Sequence, residues 1–186
     1  MKEKRPIYER PNANEYDAFY EEYVSLVEGD PVVMLERIKG ETLGALGSVS
    51  EEQAGVPHQA GKWSVKEWLG HLVEVERVMS FRALWFARGG ARLPGYDHET
   101  FAAMARHNER ALRELIDDYL LVRDATVSLF RGLPTDAALA KGALDGVPTS
   151  VRALAHIVAG HERRHLDYFK KRYLGSPDIF SDNPIF

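Results

Sequence analysis

Four long stretches of this sequence repeat their apolar residues every third and fourth position, and no segment alternates them convincingly every second. Such spacing gathers apolar side chains on one stripe of an α-helix, whereas a half-buried strand needs a period of two. The chain is therefore expected to be all-α, its main helices burying their stripes against one another in a bundle. A length of 186 residues suits one such core, and 45% hydrophobic with 28% charged residues is an ordinary globular balance.

Stop and start signals place the elements. Residues 1–14, with Pro6 and Pro11, read as a flexible or surface-wrapped arm. A short helix is expected from Tyr16, carrying Phe19, Tyr20, Tyr23, Val24 and Val27 and stopped by Gly29. Asp30-Pro31 opens the next, since the acid can cap and proline suits the first helical position; it carries Val33, Met34, Ile38, Leu43 and Leu46. After a loop over 48–62, Ser64-Val65-Lys66-Glu67 forms a capping box, and its helix should reach about Arg88 before Gly89-Gly90. One continuous helical stretch is expected from His98 or Glu99 to about Phe130, ahead of Gly132 and Pro134. Pro148-Thr149-Ser150 opens a last helix that reaches about Leu174. The expected divisions are thus an arm (1–14), a bundle (15–175) and a tail (176–186).

Charge narrows the partners. With 24 Lys+Arg against 28 Asp+Glu the net charge is -4, so the basic excess that nucleic-acid binding uses is lacking. The charged start MKEKRPIYERPN does not read as a signal peptide, so none is expected, and no window approaches the roughly 18 apolar residues of a membrane span. A cytoplasmic protein with neither nucleic acid nor membrane as partner is expected.

No cysteine occurs, while histidine occurs seven times, so any metal must be held by imidazole or carboxylate. His161 and His165 lie near the centre of the last helix's apolar face, one turn apart, where two imidazoles can share one ion. A metal pair and a pair of hydrogen-bonded core histidines fit that spacing equally. His161-Glu162-Arg163-Arg164-His165 also spells the H-E-x-x-H of metalloprotease helices, but no strand is apparent to edge a peptide cleft. His71, at the edge of the apolar stripe of the helix from Ser64, is a third candidate; three imidazoles would leave open coordination positions, as catalytic sites do. Glu76 falls inside the same stripe and needs a partner. It is read as an ion pair or hydrogen bond to an Arg or Tyr of another helix, with orienting a histidine, or acting as a base on metal-bound water, as the functional alternative. Glu74 and Glu162 are expected to be solvated, with bordering the site as the alternative for Glu162, and His156 to be solvated or at another contact.

The run Gly61-Lys62-Trp63-Ser64-Val65-Lys66-Glu67, followed by Gly70-His71-Leu72 and Glu76-Arg77, resembles the DinB/YfiT-like superfamily of metal-dependent enzymes. Tyr96-Asp97, Ser150-Val151-Arg152, Gly160-His161-Glu162 and His165 follow in the family's order, so the likeness spans about Tyr16 to Leu174. It implies a four-helix bundle, often a homodimer, preceded here by the short extra helix, with one divalent metal, nickel or zinc, held by His71, His161 and His165. It also implies a thiol-dependent transferase or isomerase that uses a low-molecular-weight thiol such as bacillithiol or mycothiol, or else a hydrolase. Arg164 stands where many relatives carry another histidine, which alters the mouth of the site. Asp97 is a weak acid-base candidate whose plainer role is a helix cap. Two other readings stand beside the enzyme: a non-catalytic metal-binding stress-response or interaction protein, with Arg163, Arg164, Lys170, Lys171 and Arg172 as its partner surface, and a metal-free bundle with histidines as core packing.

Overall fold

In the computed structural model, which describes residues 8–175, the elements run α1 (Glu21–Ser25), α2 (Pro31–Leu46), α3 (Glu51–Ala54), α4 (Val65–Ala87), β1 (Arg92–Leu93), α5 (His98–Met104), α6 (Leu112–Gly132), β2 (Lys141–Leu144), β3 (Val147–Ser150) and α7 (Val151–Tyr173). The expected starts are where the caps put them. Asp30 accepts from the Val32 amide at 2.8 Å. Ser64 accepts from the Glu67 amide at 3.1 Å while Glu67 accepts from the Ser64 amide at 2.8 Å, and Ser150 accepts from the Ala153 amide at 3.1 Å. Lys170, Lys171 and Arg172 occupy the last turn of α7, where the helix dipole favours cations.

The bundle is formed by α2, α4, α6 and α7. Its packed neighbours are α4 with α6, α4 with α7, α2 with α7 and α2 with α6, so α2 faces α4, and α6 faces α7, across the diagonals. Chain-consecutive helices therefore cross the bundle twice, through the loop that holds α3 and through the β2–β3 hairpin. The expected N-terminal helix is present only as two 3-10 turns and the five-residue α1, which packs on α7. Among the described residues, no helix is long and apolar enough to cross a membrane.

Two features depart from the periodicity. The stretch expected as one helix from His98 to Phe130 is broken between α5 and α6, where Arg106 takes a left-handed conformation (φ 53°). The break turns His107 into the core, its ring lying on Gly70, where a Cβ would come within 2.3 Å of the imidazole. Asn108 then accepts from the capping Ser64 hydroxyl at 2.6 Å. The second departure is a small three-stranded sheet in which β1 runs parallel and β3 antiparallel to β2. Strands of two to four residues are too short to display a period. Their one signal is the Asp145-Gly146 turn, with both φ values positive, as a two-residue hairpin requires.

Among the described glycines, Gly160 makes the closest approach to another backbone, since a Cβ there would lie 1.9 Å from the Tyr23 carbonyl oxygen of α1. Gly160→Ala is expected to lower stability by about 1–3 kcal/mol through overpacking against backbone. Gly40→Ala, in α2 with nothing within 4 Å, should instead raise it by about 0.4–1 kcal/mol. Urea unfolding followed by circular dichroism separates the two; equal and small effects would mean that α1 is not held against α7.

Candidate metal centre

His71 projects from α4, and His161 and His165 project one turn apart from α7, its packed neighbour. All three are buried. The ring centroids of His161 and His165 lie 4.2 Å apart and each is 5.0 Å from that of His71. Nε2 of His71 stands 3.1 Å from Nε2 of His161, and one ligand nitrogen from each of the three lies within 4.8 Å of the others. An ion about 2.0–2.1 Å from each nitrogen requires neighbouring nitrogens roughly 3–3.5 Å apart, so the donors fit a divalent ion with little adjustment.

Burial also keeps the rings neutral, the state in which imidazole ligates. It drives the pKa of His161 down to about 3. Burial, and then the charge of neighbouring histidines, drives His71 and His165 well below the usual range. Trp63 packs against His71 with centroids 4.7 Å apart, and Tyr23 meets His161 edge-on at 5.4 Å; the latter contact exists because Gly160 admits α1.

The three rings floor a cavity of about 310 Å³ walled by Tyr20, Tyr23, Val75, Met79 and Ile157, with Phe19, Glu22, Tyr96, His98 and Glu99 at its mouth. His98 was assigned no role from sequence. Its centroid is 6.3 Å from that of His71, and it gets there because the loop after α4 swings the start of α5 over the site, which helical periodicity does not register.

Glu76 is engaged away from this cavity. Arg123 of α6 donates to it twice, Nε to Oε1 at 2.9 Å and Nη2 to Oε2 at 2.7 Å, which is the interhelical ion pair expected of it. The same guanidinium pairs with Glu162 and donates to the Leu35 carbonyl of α2 at 3.0 Å. Tyr119 and Thr42 complete Glu162, both donating to Oε1 at 2.6 and 2.7 Å. Burial opposes the charge of Arg123, yet Glu162 and Glu76 outweigh it and hold the guanidinium protonated well above its ordinary range. Glu162 is thus fully buried rather than solvated. The expectation failed because α2 packs on the face of α7 that the apolar stripe left out, and Tyr119 and Arg123 reach the carboxylate from α6 across the bundle. Its carboxylate also points away from the three histidines, so the base position of H-E-x-x-H is occupied by core structure.

Asp97 caps α5, accepting from the Glu99 and Thr100 amides at 3.0 and 3.2 Å and from the Thr100 hydroxyl at 2.7 Å. His156 is buried, with Nδ1 2.9 Å from the Arg152 carbonyl, and so falls at another contact. Arg163 pairs with Asp167 and Glu41, Lys170 with Glu41, and Arg164 approaches Glu22 at 3.9 Å, so these three basic residues each have an acidic neighbour.

Two outcomes follow from these environments. Arg123→Met strands two buried carboxylates and should cost about 3–5 kcal/mol, with part of it recovered in the Arg123→Met/Glu76→Gln/Glu162→Gln triple variant; thermal unfolding checks both, and a loss under 1 kcal/mol would deny the network its role. In chelator, the three depressed histidines lend stability in full above their unfolded pKa of about 6.5. That stability declines as the pH falls below 6.5 and toward the folded values, by up to about 1.4 kcal/mol per pH unit for each. The urea midpoint should therefore drop between pH 7 and pH 5, and less steeply for His165→Asn.

The sequence model of the DinB superfamily matches residues 34–169. Among solved structures, YfiT from Bacillus subtilis superposes with a TM-score of 0.69, covering 90% of this chain and 94% of that one at 12% identity. YfiT is described as a probable metal-dependent hydrolase with an unusual four-helix bundle topology. No curated protein matches the sequence.

Proposed function

The chain belongs to the DinB superfamily, and from that premise we propose that it is a metal-dependent enzyme whose divalent ion, nickel or zinc, is held by His71, His161 and His165. The observation that carries this reading is the convergence of three buried, neutral imidazoles with ligand atoms within 4.8 Å of one another at the floor of a cavity. Bound there, the ion would supply Lewis acidity, lowering the pKa of a water or a thiol that reaches it. The chain's own residues do the rest. Val75, Met79 and Ile157 give the cavity apolar walls, and a less polar surrounding strengthens electrostatics within it. Glu22, His98 and Glu99 offer polar groups at the mouth to hold and orient a substrate. The chain holds no cysteine, so a thiol reaction draws its sulfur from a low-molecular-weight cosubstrate, and a hydrolytic one needs none. The reading extends to a homodimer acting on a small molecule.

Metal content decides the first point. Untagged protein, purified without chelator or nickel resin, is expected to carry about one equivalent of divalent metal by mass spectrometry, and His161→Ala less than about a fifth of that with its helical circular dichroism retained. Wild type and variant equally poor in metal would sink the site. Turnover of monochlorobimane with a panel of low-molecular-weight thiols, set against simple esters without thiol, then separates transferase from hydrolase. Metal bound without turnover in either assay returns the chain to a non-catalytic metal-binding role.

A further inference from the structure

The cavity over the three histidines has a neighbour that the metal reading does not use. It measures about 490 Å³ and is lined by Val78, Phe81, Leu93, Pro94 and Phe101, with Arg82, Asp97 and Thr100 among them. Tyr96 lines both spaces. They also share α4, which gives Val75 and Met79 to the first and Val78 and Arg82 to the second. Both volumes lie in the range of small-molecule pockets.

The lining of the second space is apolar in effect as well as in composition. Arg82 donates to the Pro94 carbonyl at 2.9 Å and lies 5.1 Å from the centre of the Tyr96 ring. Asp97 is committed to capping α5, and the Thr100 hydroxyl donates to Asp97. Arg82, Asp97 and Thr100 are thus each engaged within the protein, and these walls offer little to a polar ligand. Phe81 and Phe101, by contrast, are 54% and 48% exposed. Two half-exposed aromatic rings bordering one cavity are apolar surface for a partner to cover. Tyr96 stands between the two spaces, its ring edge-on to Phe101 at 5.0 Å.

We propose that the two spaces form one bipartite substrate cleft, in which the three-histidine end takes a metal-binding polar head and the space beyond Tyr96 takes an apolar acyl or aryl tail. This rests on the metal reading for its head and on the second cavity for its tail. Tyr96 is the specificity-determining residue at the junction, and Val78, Phe81 and Phe101 set how much tail is accepted.

Hydroxamates provide the probe, because one metal-chelating head can carry tails of different length. Isothermal titration of zinc-loaded protein should show octanohydroxamate binding at least about tenfold tighter than acetohydroxamate, since each buried methylene contributes about fourfold. Val78→Phe, which fills the space, and Phe101→Ala, which removes one wall at an exposed position, should each erase most of that preference and leave acetohydroxamate affinity within about twofold. Equal affinity of the wild type for both hydroxamates overturns the tail site while leaving the metal reading intact. If acetohydroxamate itself fails to bind, both readings fall. If sedimentation shows that Phe101→Ala splits a dimer without changing tail preference, the face belongs to a second copy and the tail site is again overturned.

Discussion

One guanidinium joins all four helices of the bundle. Arg123 of α6 is bound by Glu76 of α4, Glu162 of α7 and the Leu35 carbonyl of α2, with Tyr119 and Thr42 closing the remaining acceptor on Glu162. A buried charge is tolerated only when its geometry is satisfied from every side. An apolar stripe lets a helix slide or rotate at modest cost; a guanidinium held by three other helices does not. The network therefore fixes the rotation of α4 and α7 about their axes, and with it the direction in which His71, His161 and His165 point.

The site and the network share these two helices and divide their faces. Glu162 follows His161 directly, yet one faces Arg123 and the other the cavity, because successive helical residues are about 100° apart. Glu76 is separated from His71 by the same logic on α4. A carboxylate that matches a metalloprotease base in sequence thus serves as a structural clamp. Two glycines complete the support, each just before a site histidine. Gly70 receives the His107 ring, and Gly160 receives the α1 backbone that brings Tyr23 against His161.

What could be read along the chain was governed by range. The starts of α2, α4 and α7 were legible because a cap acts over three residues: Asp30 on Val32, Ser64 on Glu67, Ser150 on Ala153. The oddity of Glu76 was legible too, since a carboxylate inside an apolar stripe demands a partner wherever that partner lies. The break before α6 was not, as neither glycine nor proline marks it and the cause is a long-range contact of His107 with Gly70. Glu162 was misjudged for a related reason. The amphipathic argument grants every helix a solvent face, but α7 is packed by α1, α2 and α4 and is buried nearly all round over its first three turns.

The sequence by itself determined the helical class, the main cap sites and a one-turn pair of histidines on an inward face, because each depends on periodicity or on contacts within a turn. Tertiary structure alone decided which acid meets Arg123, how near His71 comes to the pair from α7, and that His98 and Tyr96 stand over the cavity. Those facts depend on the relative placement of helices far apart in the chain, and that placement is set by packing and by one buried charge.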